Sequence, residues 1–263
     1  MALSKNRIKY IHSLEQKKKR KEEGVFVAEG PKLTGDLLGV FPCRLLAATH
    51  DWFMTFPDAG ADEAVEVTNE ELSRASLLKT PQQVLAIFEQ PEHDIEPDVI
   101  RTSLCLALDG VQDPGNLGTI VRLADWFGIG HVFCSHNTAD IYNPKAIQAT
   151  MGAIARVKVH YTSLSQIISS LSDCPVYGTF LDGKNIYRES LSSHGLIVMG
   201  NEGNGISRDI AGLINKKLYI PHYPGGRQTS ESLNVAIATA ITCAEFRRQT
   251  LSADSRGGAN PTD

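Results

Sequence analysis

Three short stretches hold the polar side chains best placed to do chemistry. The first, Asp113 to Arg122, carries Asp113, Asn116 and Arg122 in a loop and the first turns of a helix. The second, Gly200 to Gly205, reads GNEGNG and sets Asn201 and Glu202 among glycines that let a backbone approach a ligand closely. The third, Ile220 to Asn234, ends in Ser232-Leu233-Asn234 at a helix start. Between them they offer a permanent cation, amides, a carboxylate and a hydroxyl. Taken singly, each stretch is ordinary: a turn with a surface arginine, a glycine loop, a helix cap. All three follow strands of one predicted sheet, and that shared position makes them one candidate site.

The elements that must position them begin at Leu104. Leu104 to Leu108 is an apolar run of strand length, broken at Asp109-Gly110 and again at Asp113-Pro114-Gly115. Leu117, Ile120, Val121 and Ala124 then recur with helical spacing, Gly128 and Gly130 stop the helix, and His131 to Cys134 reads as the next strand. In such β-loop-α-β units ligands bind at the carboxyl ends of the strands. Further on, Asn143-Pro144 opens a helix through Ala153. Strands are expected at Val157 to Tyr161, from Pro175, over Gly195 to Gly200 and over Lys217 to Pro221, with a helix at Ser163 to Leu171. The final helix, about Ser232 to Arg248, marks one face with Leu233, Ile237, Ile241 and Ala244 but is apolar nearly all round, which predicts burial, in part at a subunit interface. Alternating strands and helices predict a mostly parallel sheet covered on both faces.

The chain before this is a smaller α/β unit. Ile8, Ile11 and Leu14 form a helical stripe, and Val25 to Gly30 reads as a strand with a breaker. Pro31 starts a short helix, Cys43 to Thr49 and Ala64 to Thr68 are strand-like, and Thr68 with Glu71 forms a capping box for a helix over Asn69 to Leu78. Val84 to Gln90 is the last strand. Residues 1–92 make the first domain, 93–103 a linker, 104–250 the second domain and 251–263 a disordered tail.

Composition bounds the function. The chain has 263 residues, 42% hydrophobic and 21% charged, enough for a core of one large or two ordinary domains. No apolar run reaches the length of a membrane span and the amino terminus lacks a signal-peptide core, so a cytoplasmic protein is expected. The five cysteines are far apart and form no CxxC or Cys/His cluster, and the eight histidines are scattered, so no metal is expected. The glycines at 200, 203 and 205 miss the GxGxxG spacing of a dinucleotide fingerprint, which weakens a nicotinamide reading. Net charge is −4, yet eight Lys/Arg and one acid lie between Lys5 and Lys21, with Lys17, Lys18, Lys19, Arg20 and Lys21 consecutive. That run is either a solvated helix face or a phosphate contact.

The segment NLGTIVRLADWFG resembles the first motif, N-x-G-x-x-x-R, of the SpoU (TrmH-like) RNA 2′-O-ribose methyltransferases. IVMGNEGNGIS resembles their second, and IP followed by SLNVAIATAI their third. The order and spacing match from Leu104 to Arg248. The first domain is similar, more loosely, to the ribosomal-protein-like substrate-binding domain that precedes the catalytic domain in many members, LLKTPQQVLAIFE being part of the likeness. The resemblance implies an S-adenosylmethionine-dependent enzyme with a SPOUT α/β-knot catalytic domain (a carboxyl-terminal trefoil knot) and a homodimer built through the knotted region. It implies methylation of a ribose 2′-hydroxyl, with ribosomal RNA favoured, transfer RNA possible and a non-catalytic RNA-binding protein as the alternative. Gly200, Asn201, Gly203, Ile220 and Leu233 would line the cofactor pocket. Arg122 would position and polarise the ribose, with Asn116, Glu202, Ser232 and Asn234 completing the catalytic set. One departure stands out: HYPGGRQTSE, His222 to Glu231, is longer than the family's usual third motif and suits a lid or an RNA contact through Arg227.

Overall fold

The structure, a computed structural model, describes residues 3–224 and 232–254. It forms two compact units. The first comprises residues 1–93 and 140–156, and the second residues 94–139 and 157–263. The 140–156 segment, which the sequence groups with the second domain, therefore packs with the first unit.

In the first unit, β1 (Val25–Glu29), β2 (Cys43–Ala48), β3 (Ala64–Glu66) and β4 (Val84–Glu89) form a sheet in the order β1-β4-β2-β3. Strand β4 runs antiparallel to both β1 and β2, while β3 joins β2 in parallel. The helices are α1 (Lys5–Ser13), α2 (Lys17–Glu23), α3 (Pro31–Leu37), α4 (His50–Thr55), α5 (Asn69–Ala75) and α8 (Pro144–Thr150), numbered along the chain. Ile11 and Leu14, from the predicted stripe, are buried against Val25, Val27, Leu85 and Ile87. The Thr68–Glu71 capping box forms as expected, with Thr68 Oγ1 accepting from Glu71 N at 3.2 Å and Glu71 Oε2 from Thr68 N at 2.9 Å. Helix α5 ends at Ala75, not at Leu78. The buried Glu29 carboxylate takes the next residues out of the helix, accepting hydrogen bonds from the Ser76 hydroxyl and from Leu77 N.

Arg20 departs from its expected role. Its side chain is 1% exposed; Nη1 donates to the Leu14 and Glu15 carbonyls, each at 2.7 Å, and Nη2 pairs with Asp140 at 2.5 Å. A guanidinium enclosed in this way ties α2 to the 140–156 segment and is out of reach of a phosphate. The same segment bonds β1 through Gln148 Nε2, which donates to the Glu29 carbonyl at 2.7 Å, and Tyr142 lies against Phe26 at 5.3 Å between ring centroids.

In the second unit, all strand pairings are parallel: β5 (Leu104–Asp109), β6 (His131–Cys134), β7 (Lys158–Tyr161), β8 (Val176–Asn185), β9 (Gly195–Gly200) and β10 (Lys216–Tyr219), in the order β10-β8-β9-β5-β6-β7. The central strands β5 and β9 are buried throughout, as their near-continuous apolar runs require. Helices α6 (Val99–Thr102), α7 (Pro114–Trp126), α9 (Leu164–Ser169), α10 (Arg208–Ala211) and α11 (Val235–Asp254) complete the unit. Helix α6 falls inside the predicted linker, because Ile100 finds a place in the core with Cys105, Leu164 and Leu196.

Helix α11 corrects one expectation and divides another. It continues through residues 251–254, which were expected to be tail; the rest of that tail, 255–263, lies outside the described residues. Its burial is one-sided. Val235, Ala236, Thr239, Thr242, Cys243 and Phe246 are buried, whereas Ile237 is 54% exposed and Ala244 is exposed. The two buried threonines return their hydroxyls to carbonyls four residues back, Thr239 to Val235 and Thr242 to Ala238, so polar residues occupy the packed face without orphaned groups. No described helix is long and apolar enough to cross a membrane.

Candidate functional site

The three stretches converge at the carboxyl ends of β5 and β9. Asp113 caps α7, its Oδ1 accepting from Asn116 N at 2.8 Å, and Pro114 occupies the first turn. That start fixes Asn116 on the first turn, where its side chain bridges the other two stretches. Asn116 Nδ2 donates to Glu202 Oε1 at 3.0 Å, and Asn116 Oδ1 accepts from Asn234 Nδ2 at 3.1 Å. Glu202 Oε2 also accepts from Gln112 N at 3.4 Å. Asn234 in turn starts α11, its Oδ1 accepting from Ala236 N at 2.9 Å and Ile237 N at 3.3 Å. A single chain of side-chain hydrogen bonds, Asn234 to Asn116 to Glu202, therefore joins residues far apart in sequence, and each amide uses both its donor and its acceptor.

The glycine stretch forms one wall of a pocket of about 480 Å³. Gly200 admits no side chain, since an added Cβ would collide with the backbone of Gly205 and Ile206. Asn201 organises the turn. Its Oδ1 accepts from Gly203 N at 2.9 Å and Asn204 N at 3.0 Å, and its Nδ2 donates to the Gly110 carbonyl at 2.7 Å. Asn201 thus shapes the loop through its side chain as well as lining the cavity. Of the residues expected around a cofactor or in catalysis, Gly200, Asn201, Glu202, Gly203, Ile220, Ser232 and Leu233 all line this pocket.

Three expected catalytic residues do not line it. Asn116 and Asn234 stand behind Glu202 as its bonded support. Arg122 lies further along α7 on an exposed face and makes no hydrogen bond or ion pair among the described residues. Trp126, one turn beyond it, is 83% exposed. Arg227 lies outside the described residues, as does most of the 222–231 insertion.

Sequence reading missed a whole side of the cavity: Thr179, Phe180, Leu181 and Tyr219. They come from β8 and β10, whose pairing shifts register between Lys217 and Leu218. Gly183 lies so close to the Leu218 backbone that a Cβ would collide with it, and Lys217 Nζ sits over the Phe180 ring at 4.7 Å. The only sequence signal was Gly178 and Gly183 flanking a run that reads as an ordinary strand.

Other chemistries find little here. Burial pushes the Cys43 thiol up to about 11 and the Cys105 and Cys243 thiols up to about 12, so these supply no thiolate at neutral pH. Among the described residues no group of three or more His, Cys, Asp or Glu is arranged to hold a metal ion.

Comparison with known proteins agrees with this geometry. The SpoU rRNA Methylase family matches residues 103–244, and the MRM3-like substrate binding domain matches residues 5–86. The 23S rRNA (guanosine(2553)-2′-O)-methyltransferase RlmP of Bacillus subtilis is 30% identical over 247 residues, covering 92% of this chain and 96% of its own. A TrmH-family structure from Porphyromonas gingivalis superposes with a TM-score of 0.82 at 41% identity, over 95% of this chain and all of that one. An AdoMet-bound rRNA methyltransferase from Sinorhizobium meliloti gives 0.81 at 31% identity, over 94% and 96% of the two chains.

Proposed function

Because the chain belongs to the SpoU rRNA methylase family, we propose that it is an S-adenosylmethionine-dependent RNA methyltransferase acting on a ribose 2′-hydroxyl, with ribosomal RNA as its substrate. The observation that carries the reading is the Asn234–Asn116–Glu202 chain of hydrogen bonds, which brings the three motifs to one pocket.

The pocket suits the cofactor. Its loop wall is largely backbone, its opposite side offers the Phe180 ring, Leu181 and Ile220, and Gly200, with no Cβ, lets the Gly205–Ile206 backbone pack closely enough to form that wall. Gly200, Asn201, Gly203, Ile220 and Leu233 would hold S-adenosylmethionine, joined by Thr179 and Tyr219. The bound sulfonium supplies an already electrophilic methyl group. The protein's task is then to align the 2′-hydroxyl and accommodate loss of its proton. Arg122 stays protonated at any working pH and is a poor base. Its role is a clamp on the phosphate next to the target ribose, orienting and polarising the hydroxyl, with the proton passing to phosphate or water. Glu202, braced by Asn116 and by Gln112 N, faces the pocket as a fixed acceptor for a ribose hydroxyl. Ser232 closes the opposite rim.

The first unit serves as the RNA-binding domain, with Lys17, Lys18 and Lys21 on α2 as phosphate contacts and Lys19 held back by Glu23; Arg227, in the second unit's insertion, adds a further phosphate contact. A homodimer is supported by unpartnered apolar surface on two helices packed together, Trp126 on α7 and Ile237 on α11, with Leu233 beside it. The family's trefoil knot and a cytoplasmic location complete the reading.

The test begins with calorimetric titration of the protein with S-adenosylmethionine and its demethylated product. Micromolar binding, followed by loss of one 2′-O-methyl site in ribosomal RNA of a deletion strain, is the expected result. Restoration by the wild-type gene and not by Arg122→Ala assigns the arginine. A lost site in transfer RNA would move the substrate; absence of cofactor binding even with RNA present would leave an RNA-binding protein without catalysis.

A further inference from the structure

Asp109 ends β5 opposite Gly200, is 7% exposed, and has no part in the mechanism above. A buried carboxylate needs donors. Among the described residues its hydrogen-bond donor is a backbone N–H, that of Ser207, which reaches Oδ2 at 2.7 Å. Ser207 lies just past the far end of the glycine loop. Between Gly200 and Ser207 the chain folds back on itself, with Asn201 and Gly205 exchanging backbone hydrogen bonds of 2.9 Å in both directions. The near end of this loop is held by Asn201 Nδ2 on the Gly110 carbonyl at 2.7 Å. Two consecutive residues at the end of β5 thus clamp the two ends of one loop, Gly110 through its carbonyl and Asp109 through its carboxylate.

We propose that Asp109 is a positioning residue: through Ser207 it holds residues 200–206 in the fold that makes the pocket wall, and so sets the affinity of that pocket for S-adenosylmethionine. The second clause rests on the methyltransferase reading of the pocket; the first stands on the loop geometry alone. Asp109 touches no ligand in this account. Its carboxylate acts because a charge-assisted acceptor holds an N–H more tightly than water does.

The experiment uses the full chain with three substitutions: Asp109→Ala, Asp109→Asn, and Ser207→Pro. The last removes the donated hydrogen while leaving the strand untouched, and the Ser207 φ of −60° is one that proline adopts. Two measurements are made, hydrogen–deuterium exchange by peptide and calorimetric titration with S-adenosylmethionine. The expected result is exchange about tenfold faster in peptides covering 201–207 for Asp109→Ala and Ser207→Pro, with β5 and β6 peptides unchanged, and cofactor affinity about tenfold weaker, the order expected for losing one hydrogen bond to a charged group. Asp109→Asn keeps an oxygen that accepts from Ser207 but loses the charge, and recovers part of both. Unchanged exchange at 201–207, an increase spread evenly over the sheet, or an asparagine variant as impaired as the alanine would overturn the assignment. Failure of the wild-type protein to bind S-adenosylmethionine would count against the reading of the pocket, and the exchange comparison would still decide whether Asp109 holds the loop.

Discussion

Replacing Lys17, Lys18 and Lys21 together by glutamine should flatten the salt dependence of RNA binding by an amount the structure fixes. The basic run contains five consecutive cations, but they are not equivalent. Arg20 is enclosed by two carbonyls and Asp140. Lys19 Nζ is held by Glu23 at 2.7 Å, whereas Lys18 is 86% exposed with Glu22 only at 3.9 Å, and Lys17 and Lys21 are exposed. Each phosphate neutralised contributes roughly 0.9 to the slope of log K against log salt for duplex and roughly 0.7 for single strands. Three contacts therefore contribute about 2 to 3. Over a fourfold rise in salt, that is about 20- to 40-fold in affinity that the triple variant should no longer lose. Titration of a labelled ribosomal RNA fragment at four or five salt concentrations measures it directly. Lys19→Gln should change the slope little, and Arg20→Gln should act on stability. A folded triple variant with the wild-type slope would refute phosphate contact by this helix; a folded Arg20→Gln variant that lowers the slope as much as Lys17→Gln would refute the ranking.

The remaining expectations concern the core of each unit. Asp140→Ala leaves the Arg20 guanidinium buried without its counter-charge and should destabilise the protein by about 3 to 5 kcal/mol, read from denaturant unfolding followed in the first unit; a loss below about 1 kcal/mol would mean that the two carbonyls suffice. In the site, Asn116→Ala and Asn234→Ala should each lower kcat/KM, and the double variant should lose about fivefold less than the product of the single losses, because the two share one hydrogen bond. Strict multiplicativity would break that link. Burial holds the Glu29 carboxyl above its usual range, outweighing the hydrogen bonds from Ser76 and Leu77. Since the folded state binds this proton more tightly than the unfolded state, the favourable contribution is present below the unfolded pKa and fades as pH rises through the folded one. Glu29→Gln should therefore gain stability relative to wild type in thermal melts as pH rises above the ordinary glutamate range of about 4, and a difference that stays constant as pH rises would contradict the assignment.

Much of the molecule was legible before any fold was known. The continuous apolar runs at Leu104–Leu108 and Gly195–Gly200 read as buried strands because burial on both faces leaves no room for polar alternation. The Thr68–Glu71 cap was visible because it is a local device whose two partners lie three residues apart. The candidate site was legible as three motifs, since glycine where no Cβ fits and asparagine where an amide must both donate and accept are requirements written in residue type. The end of α5 was not visible, because the carboxylate that captures Ser76 comes from β1. Neither was the Phe180 and Tyr219 side of the pocket, which depends on a register shift between two strands distant in sequence.

By itself, then, the sequence determined the order of elements, the parallel sheet and the residue types at its strand ends, because periodicity, caps and glycine positions are local consequences of backbone geometry. Only the tertiary structure decided which side chains those positions join. It placed Asn116 between Glu202 and Asn234, and took Arg20 from the basic surface into a buried pair with Asp140. It also decided which face of α11 packs inside the chain and which it leaves exposed. The physical reason is common to all three. Hydrogen bonds and burial depend on distance in space, and residues 86 to 120 positions apart acquire that distance only when the sheet and helices have packed.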